Sequence, residues 1–196
     1  MKMYIETETG AIYTKDEMRK EFHKDAMNDC GFDHMSFDDY LETVVEIGDY
    51  KEYEERYLVV GHNCNHRGEL NACVFKKRED AYEYMRVQFK DDPDVTINIS
   101  VGDVRYASED DFIVYALFEI GNEPYILVDW SDGATWPTSF AVAEFSTEDD
   151  AKRAIINDMH SFLEANEHTE TTVWFGDYGG EIDYEDIFFR WDIIIS

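Results

Sequence analysis

One short stretch of the sequence, GHNCNHRGE at 61–69, carries side chains that can ligate a metal. His62, Cys64 and His66 alternate with other residues, so an extended backbone would place all three on one side. A zinc site takes such ligands, but it needs four of them, or three with a water. The stretch is also rich in Gly and Asn, which is typical of a polar hairpin loop. We therefore predict a loop and keep a metal site as an alternative.

Two acidic stretches, DWSDG at 129–133 and EIDYED at 181–186, are the other candidates for metal or acid–base chemistry. The first lacks the spaced ligands of a calcium loop, so it predicts a turn. The second has carboxylates that can bind a divalent metal, as in nucleases: Glu181, Asp183, Glu185 and Asp186. However, the acidic pair at 185–186 matches the pair at 109–110, and both precede a predicted strand. A charged turn explains them without chemistry.

No other catalytic pattern is present in the sequence. There is no glycine-rich phosphate loop, no G-x-S-x-G and no Cys matched with a His and an Asn or Asp. The basic cluster KKR at 76–78 stands among acids, which disfavours nucleic-acid binding. We therefore predict no enzyme, no cofactor and no metal.

Acidic side chains dominate the composition. The chain has 196 residues, and 45 Asp and Glu against 17 Lys and Arg give a net charge of −28, where small soluble domains carry about 2–8 in magnitude. Residues 121–196 hold 17 acidic and 3 basic groups, whereas residues 57–120 hold 12 and 7. Such a surface repels nucleic acid and anionic lipid and attracts a basic partner. The alternatives are a role in solubility and adaptation to high salt, and the latter would spread the acid evenly.

Residues 1–55 predict a small module of one hairpin and two helices. Two short apolar stretches flank a turn at Gly10. Thr14 and Glu17 then form a capping box, and Ser36, with an acid three residues later, marks a second helix start.

The rest of the chain contains an internal repeat. VFKKREDAYEYM at 74–85 aligns without a gap with EFSTEDDAKRAI at 144–155. The acids shared by these two stretches indicate a helix start. Strand-like segments match in the same order, at offsets that grow from 68 to 76 residues, so insertions fall in predicted loops.

We therefore predict an α+β protein, in which the N-terminal module (1–55) is followed by two tandem ββαββ units, 56–122 and 123–196. The last strand of each unit, FIVYALF at 112–118 and FFRWDIII at 188–195, is apolar enough to aggregate if it were an exposed edge. We predict that these two strands pair with each other across the units, with a homodimer as the alternative to a monomer.

The three cysteines, Cys30, Cys64 and Cys73, have no disulfide-framework spacing. This pattern predicts a cytoplasmic protein with reduced thiols. The first ten residues, MKMYIETETG, lack the apolar region of a signal peptide, and no apolar run is long enough for a membrane span.

The opening YIETETGAIYTKDEMRKEF, together with SFDDYL at 36–41, resembles small accessory proteins of phages and mobile elements of Gram-positive bacteria. Some of those proteins are anti-CRISPR proteins. The resemblance covers about the first 50 residues and implies no catalytic or binding residue. The acidity is similar in character to that of DNA-mimicking inhibitors, which is a likeness of charge and not of motif.

These observations predict a non-enzymatic acidic inhibitor, an anti-CRISPR or anti-restriction protein that resembles a DNA mimic. Its partner would be the basic nucleic-acid groove of a Cas effector or restriction enzyme. The residues predicted to bind that partner are Asp149, Asp150, Trp174, Tyr178, Glu181, Asp183, Glu185 and Asp186. Two alternatives stay open: an immunity protein or antitoxin that neutralises a basic toxin, and a metal-dependent enzyme that uses the metal candidates above.

Overall fold

The computed structural model describes residues 2–27, 35–63, 70–91, 95–100, 103–108, 113–133, 139–166, 171–184 and 187–196. The chain divides into two compact units, residues 1–54 and 55–196. Within the described residues there are four helices and three antiparallel sheets. This arrangement confirms the predicted α+β class.

The first unit is a three-stranded sheet with two helices. Its elements are β1 (Met3–Glu6), β2 (Ile12–Thr14), α1 (Lys15–Met27), α2 (Phe37–Glu46) and β3 (Tyr50–Tyr53), with strand order β2-β1-β3. Both predicted helix starts are confirmed. The Thr14 N–H donates to Glu17 Oε2 at 2.8 Å, and Ser36 Oγ accepts the Asp39 N–H at 3.2 Å. β3 was missed because it is a polar edge strand, which need not bury its side chains.

Residues 55–196 form two five-stranded sheets, each with one helix. The first sheet comprises β4 (Arg56–Asn63), β5 (Leu70–Phe75), β6 (Thr96–Ser100), β7 (Asp103–Ser108) and β8 (Ile113–Ile120), and α3 (Arg78–Gln88) follows β5. The second sheet comprises β9 (Tyr125–Gly133), β10 (Ser139–Phe145), β11 (Thr171–Gly176), β12 (Gly179–Tyr184) and β13 (Ile187–Ile195), and α4 (Glu148–Ala165) follows β10. The strand orders are equivalent: β5-β4-β8-β7-β6 and β10-β9-β13-β12-β11.

Each half therefore has the order ββαβββ, with one strand more than the predicted ββαββ. The missed strands are β7 and β12. The sequence of β12, GGEIDY, indicates a turn because it combines glycines with acids. Packing requires both glycines: a Cβ on Gly179 would lie 2.4 Å from the carbonyl oxygen of Trp191, and one on Gly180 would lie 2.8 Å from Sδ of Met159.

The two sheets pack face to face, and each helix covers the outer face of its own sheet. Alternation along β4 shows this arrangement. Tyr57 and Val59 lie in the core beneath α3, whereas Leu58 and Val60 lie in the core between the sheets with Ile126 of β9. The order of layers is thus α3, first sheet, second sheet, α4.

The predicted pairing of the two apolar end strands with each other is wrong. β8 lies between β4 and β7, and β13 lies between β9 and β12. Each is a central strand covered on one face by a helix and on the other by the opposite sheet. On β8, Leu117 faces the helix side and Ala116 faces the other sheet. Burial on both faces explains a nearly continuous apolar sequence.

Candidate protein-binding surface

Six of the eight residues predicted to bind a partner lie in the described part of the chain, and Glu185 and Asp186 lie outside it. The structure divides the six between the β11–β12 hairpin and the start of α4: Trp174, Tyr178, Glu181 and Asp183 in the first group, Asp149 and Asp150 in the second.

The β11–β12 hairpin places an aromatic ring and two carboxylates on one face. Trp174 lies opposite Glu181, and Thr172 lies opposite Asp183. Residues directly opposite have Cβ atoms about 4.5–5.5 Å apart, and positions two residues apart on a strand share a face. The Trp174 side chain is 53% exposed. This face therefore carries the exposed Trp174 side chain together with Glu181 and Asp183.

The turn of this hairpin is held in place by a backbone hydrogen bond. Asp177 and Tyr178 form the turn, and the Tyr178 carbonyl accepts the N–H of Ile193 at 2.8 Å. The Tyr178 side chain is 57% exposed. A Cβ on Gly176 would lie 2.6 Å from the indole of Trp174, so the glycine leaves space for that ring.

One guanidinium stands beside these carboxylates. Arg190 of β13 lies opposite Glu181, and its Nε donates to Asp192 at 3.0 Å. Asp192 also accepts the indole N–H of Trp130 at 2.8 Å. Glu181 therefore lies between Trp174 and Arg190 in the row of residues across the sheet.

The start of α4 has a structural role as well as a negative charge. Thr147 Oγ1 accepts the Asp150 N–H at 3.1 Å and donates to the Asp150 carboxylate at 2.7 Å, which caps the helix. The same carboxylate accepts from Arg153 at 3.0 Å. Asp149, by contrast, is exposed. Between the two predicted binding residues, Asp149 is thus the more accessible to a partner.

The ammonium group of Lys152 lies near carboxylates of both the hairpin turn and the helix start. Its pKa is raised mainly by a hydrogen bond to Glu148, at 2.6 Å, and further by the charges of Asp177 and Asp149. Both Asp177, in the hairpin turn, and Asp149, at the start of α4, therefore lie near the same ammonium group. The hairpin turn and the helix start form one acidic end of the second sheet.

The candidate metal motif is only partly described. His62 is 1% exposed in the core between the sheets, with its ring centroid 4.4 Å from that of Trp130. Cys64 and His66 lie outside the described residues. Among the residues that the structure places, no group of three or more His, Cys, Asp or Glu could hold a metal ion. His62 packs against Trp130 in that core.

Asp129 lies in the middle of β9, in one of the two acidic stretches considered for metal or acid–base chemistry. The stretch 129–133, predicted as a turn, continues the strand instead, so that prediction is wrong. Burial raises the pKa of Asp129 to about 6, with a contribution from the negative charge of Asp158 on α4. The alternation of apolar and polar residues from Val128 to Ser131 is the signal that would have extended the strand.

We expect Asp129→Asn to stabilise the protein above pH 6. The folded-state pKa of about 6 exceeds the ordinary value of 3.8, so the stability associated with this group is full at low pH and is lost as the pH rises through 6. Partial solvent exposure reduces the effect, and we expect a gain of about 1–2 kcal/mol in the free energy of unfolding at pH 8.

Urea unfolding of both proteins between pH 4 and pH 8 measures this effect. The difference should be small near pH 4 and reach its full value above pH 6. A difference that does not change with pH would contradict the assignment to Asp129.

Comparisons with known proteins identify no relative. No family model matches the chain, and searches of curated proteins and of solved structures found no match. Among the described residues, no helix combines the length and the apolar character that crossing a membrane requires.

Proposed function

We propose that this protein is a non-enzymatic inhibitor that binds a basic, nucleic-acid-binding surface of another protein. A Cas effector or restriction enzyme is the proposed partner, in line with the resemblance of the N-terminal segment to phage accessory proteins. The β11–β12 hairpin and the start of α4 form the proposed contact surface. The observation that carries the proposal is the presence of exposed aromatic rings and carboxylates on one hairpin, whose turn residue Asp177 lies near the same ammonium group as Asp149 of α4.

The charge of this region favours a basic partner over other ligands. Residues 121–196 carry 17 acidic and 3 basic groups. Acids at alternate strand positions, such as Glu181 and Asp183, are about 6.6–6.8 Å apart and are fixed by the ladder. A rigid row of this kind can pair with Lys and Arg side chains that otherwise hold phosphates, and its affinity should fall with salt. Trp174 and Tyr178 provide the aromatic anchors typical of interface hot spots.

The two halves of residues 55–196 are proposed to be tandem copies of one unit. Their strand orders are equivalent, and the helix follows the second strand in both. In this view the fold was kept while the second copy lost basic residues. KKR at 76–78 corresponds to STE at 146–148, and this difference supports a binding function in the second copy.

A capture experiment with a matched control tests the proposed function. The site variant carries Asp149→Lys, Asp177→Lys and Glu181→Lys, and the control carries Glu8→Lys, Glu42→Lys and Glu46→Lys in the first unit. Both change the net charge equally. We expect wild type and control, but not the site variant, to capture a basic nuclease from a host that carries defence systems and to inhibit its cleavage of DNA.

The expected loss of affinity in the site variant is at least about tenfold, because three favourable charges become unfavourable. Equal capture by the site variant and the control would contradict the proposed surface. Capture of a basic toxin in place of a nuclease would support the immunity-protein alternative.

A further inference from the structure

β11 is an edge strand whose outer backbone groups pair with no other strand among the described residues. Tyr178, the residue before β12, bonds towards β13, because its carbonyl accepts the N–H of Ile193. Bonding direction alternates along a strand, so Glu181 and Asp183 bond towards β11, where Trp174 and Thr172 are their partners. The remaining β11 residues therefore direct their N–H and C=O groups outward: Thr171, Val173 and Phe175.

Nothing in the sequence of β11 protects this edge. Natural edge strands are usually short, bulged, or interrupted by a charge or a proline. β11 has six residues, TTVWFG, in continuous register with β12, and none is charged or Pro. Val173 and Phe175 are 45% and 44% exposed. The strand is thus a template for another extended segment.

The charge beside the edge selects the kind of segment. A second copy of this chain would bring two acidic regions together, which costs repulsion. A basic segment would instead meet the exposed indole of Trp174 and the carboxylate of Glu181 in the next strand. Arg is suited to this position because its guanidinium stacks on an aromatic ring and pairs with a carboxylate. On the opposite face, Val173 and Phe175 favour apolar side chains.

The corresponding edge strand of the first sheet, β6, lacks the aromatic ring and the neighbouring carboxylate. Counted from the pairs that close the two hairpins, Ser100–Asp103 and Gly176–Gly179, the pair Trp174–Glu181 corresponds to Asn98–Arg105. Arg105 would repel a basic strand where Glu181 attracts one. The charge complementarity therefore points to β11 and not to β6.

We propose that β11 binds an extended basic segment of the partner protein as an additional antiparallel strand. The segment alternates Arg or Lys, on the Trp174 face, with apolar residues on the Val173 face. This inference rests on the proposed function and adds the way in which the partner is recognised.

A synthetic peptide, Arg-Val-Arg-Thr-Arg-Val-Arg with blocked termini, tests this proposal with the full-length protein. In the proposed register its Val and Thr nitrogens face β11 and its Arg nitrogens face away. Methylation of the backbone nitrogens of the two Val residues and the Thr should weaken binding at least about tenfold, because three hydrogen bonds to β11 are lost. Methylation of the backbone nitrogens of three Arg residues gives a control peptide with the same charge and mass as the first methylated peptide. It should change binding less than about threefold.

Amide exchange and one pair of variants supply the second measurement. The peptide should slow exchange of the Val173 and Phe175 amides. Val173→Pro removes an outward N–H and should weaken binding at least about tenfold, whereas Val173→Thr keeps that N–H and should bind within about threefold of wild type. If Val173→Pro does not fold, the methylated peptides with wild-type protein decide the outcome.

Three results would overturn strand addition: equal binding of the two methylated peptides, no binding of the unmodified peptide at millimolar concentration, or a homodimer that Val173→Pro abolishes. The first two would leave an acidic surface that captures its partner through charge alone. The proposed function fails separately, in the capture experiment, if the site variant retains its partner.

Discussion

Trp130→Ala is expected to lower the free energy of unfolding by about 3–5 kcal/mol, a large part of the stability of a small domain. Trp130 is 1% exposed in the core between the two sheets. Its ring contacts those of His62 and Phe188, at centroid distances of 4.4 and 5.7 Å, and its indole N–H donates to Asp192 at 2.8 Å. Truncation removes this packing and leaves a cavity between sheets that cannot collapse freely.

Urea unfolding followed by tryptophan fluorescence measures this loss. All four tryptophans lie after residue 129, so the signal reports on the unit 55–196 alone. Trp174→Ala is the matched control, because it truncates the same residue type at an exposed position, and it should change stability by less than about 0.5 kcal/mol. Equal effects of the two substitutions would contradict the face-to-face packing of the sheets.

Arg56→Ala is expected to destabilise the unit 55–196 by about 2–4 kcal/mol. Arg56, at the start of β4, donates to the carbonyls of Gly121 and Glu123 at 2.6 and 3.1 Å and to Ser196 Oγ at 2.9 Å. Its guanidinium also lies 4.0 Å from Glu144 Oε1, a buried oxygen without a hydrogen bond within the described structure. The Arg56 side chain thus links the segment between β8 and β9 to the residue that follows β13.

A double-mutant cycle in urea separates the charge from the hydrogen bonds. Adding Glu144→Gln to Arg56→Ala should restore part of the loss, since it removes a buried charge that has lost its counter-ion. Arg86→Ala is the control: this exposed arginine of α3 pairs with the exposed Glu83 at 2.7 Å, and we expect a loss below about 0.5 kcal/mol. Additive effects of Arg56→Ala and Glu144→Gln would show that the two groups are not coupled.

Local signals in the sequence predicted a large part of the first unit and the helix starts of the second. The capping pairs Thr14–Glu17 and Ser36–Asp39 act within four residues, so their chemistry does not depend on the rest of the fold. The predicted repeat placed α3 and α4 in equivalent connections. β12 was missed because the glycines that begin it are set by contacts with Trp191 and Met159, which lie far along the chain.

The residues predicted to bind a partner are only partly brought together by the structure. Trp174, Tyr178 and Glu181 do lie together, because a short hairpin joins them. Asp150, however, caps α4, and Asp129 is a strand residue with a raised pKa where a turn was predicted. Val173 and Phe175 were not recognised as part of the surface. Whether a strand is central or at an edge depends on its neighbours and not on its own sequence.

The sequence by itself determined the charge of the protein, its α+β class and the position of its helices, because composition, periodicity and capping act over a few residues. Only the tertiary structure decided which strands are central. The apolar strands β8 and β13 are central strands of two separate sheets. It also decided that His62 is buried and that β11 is exposed at an edge. These properties come from contacts between residues distant in sequence, whose geometry no short pattern contains.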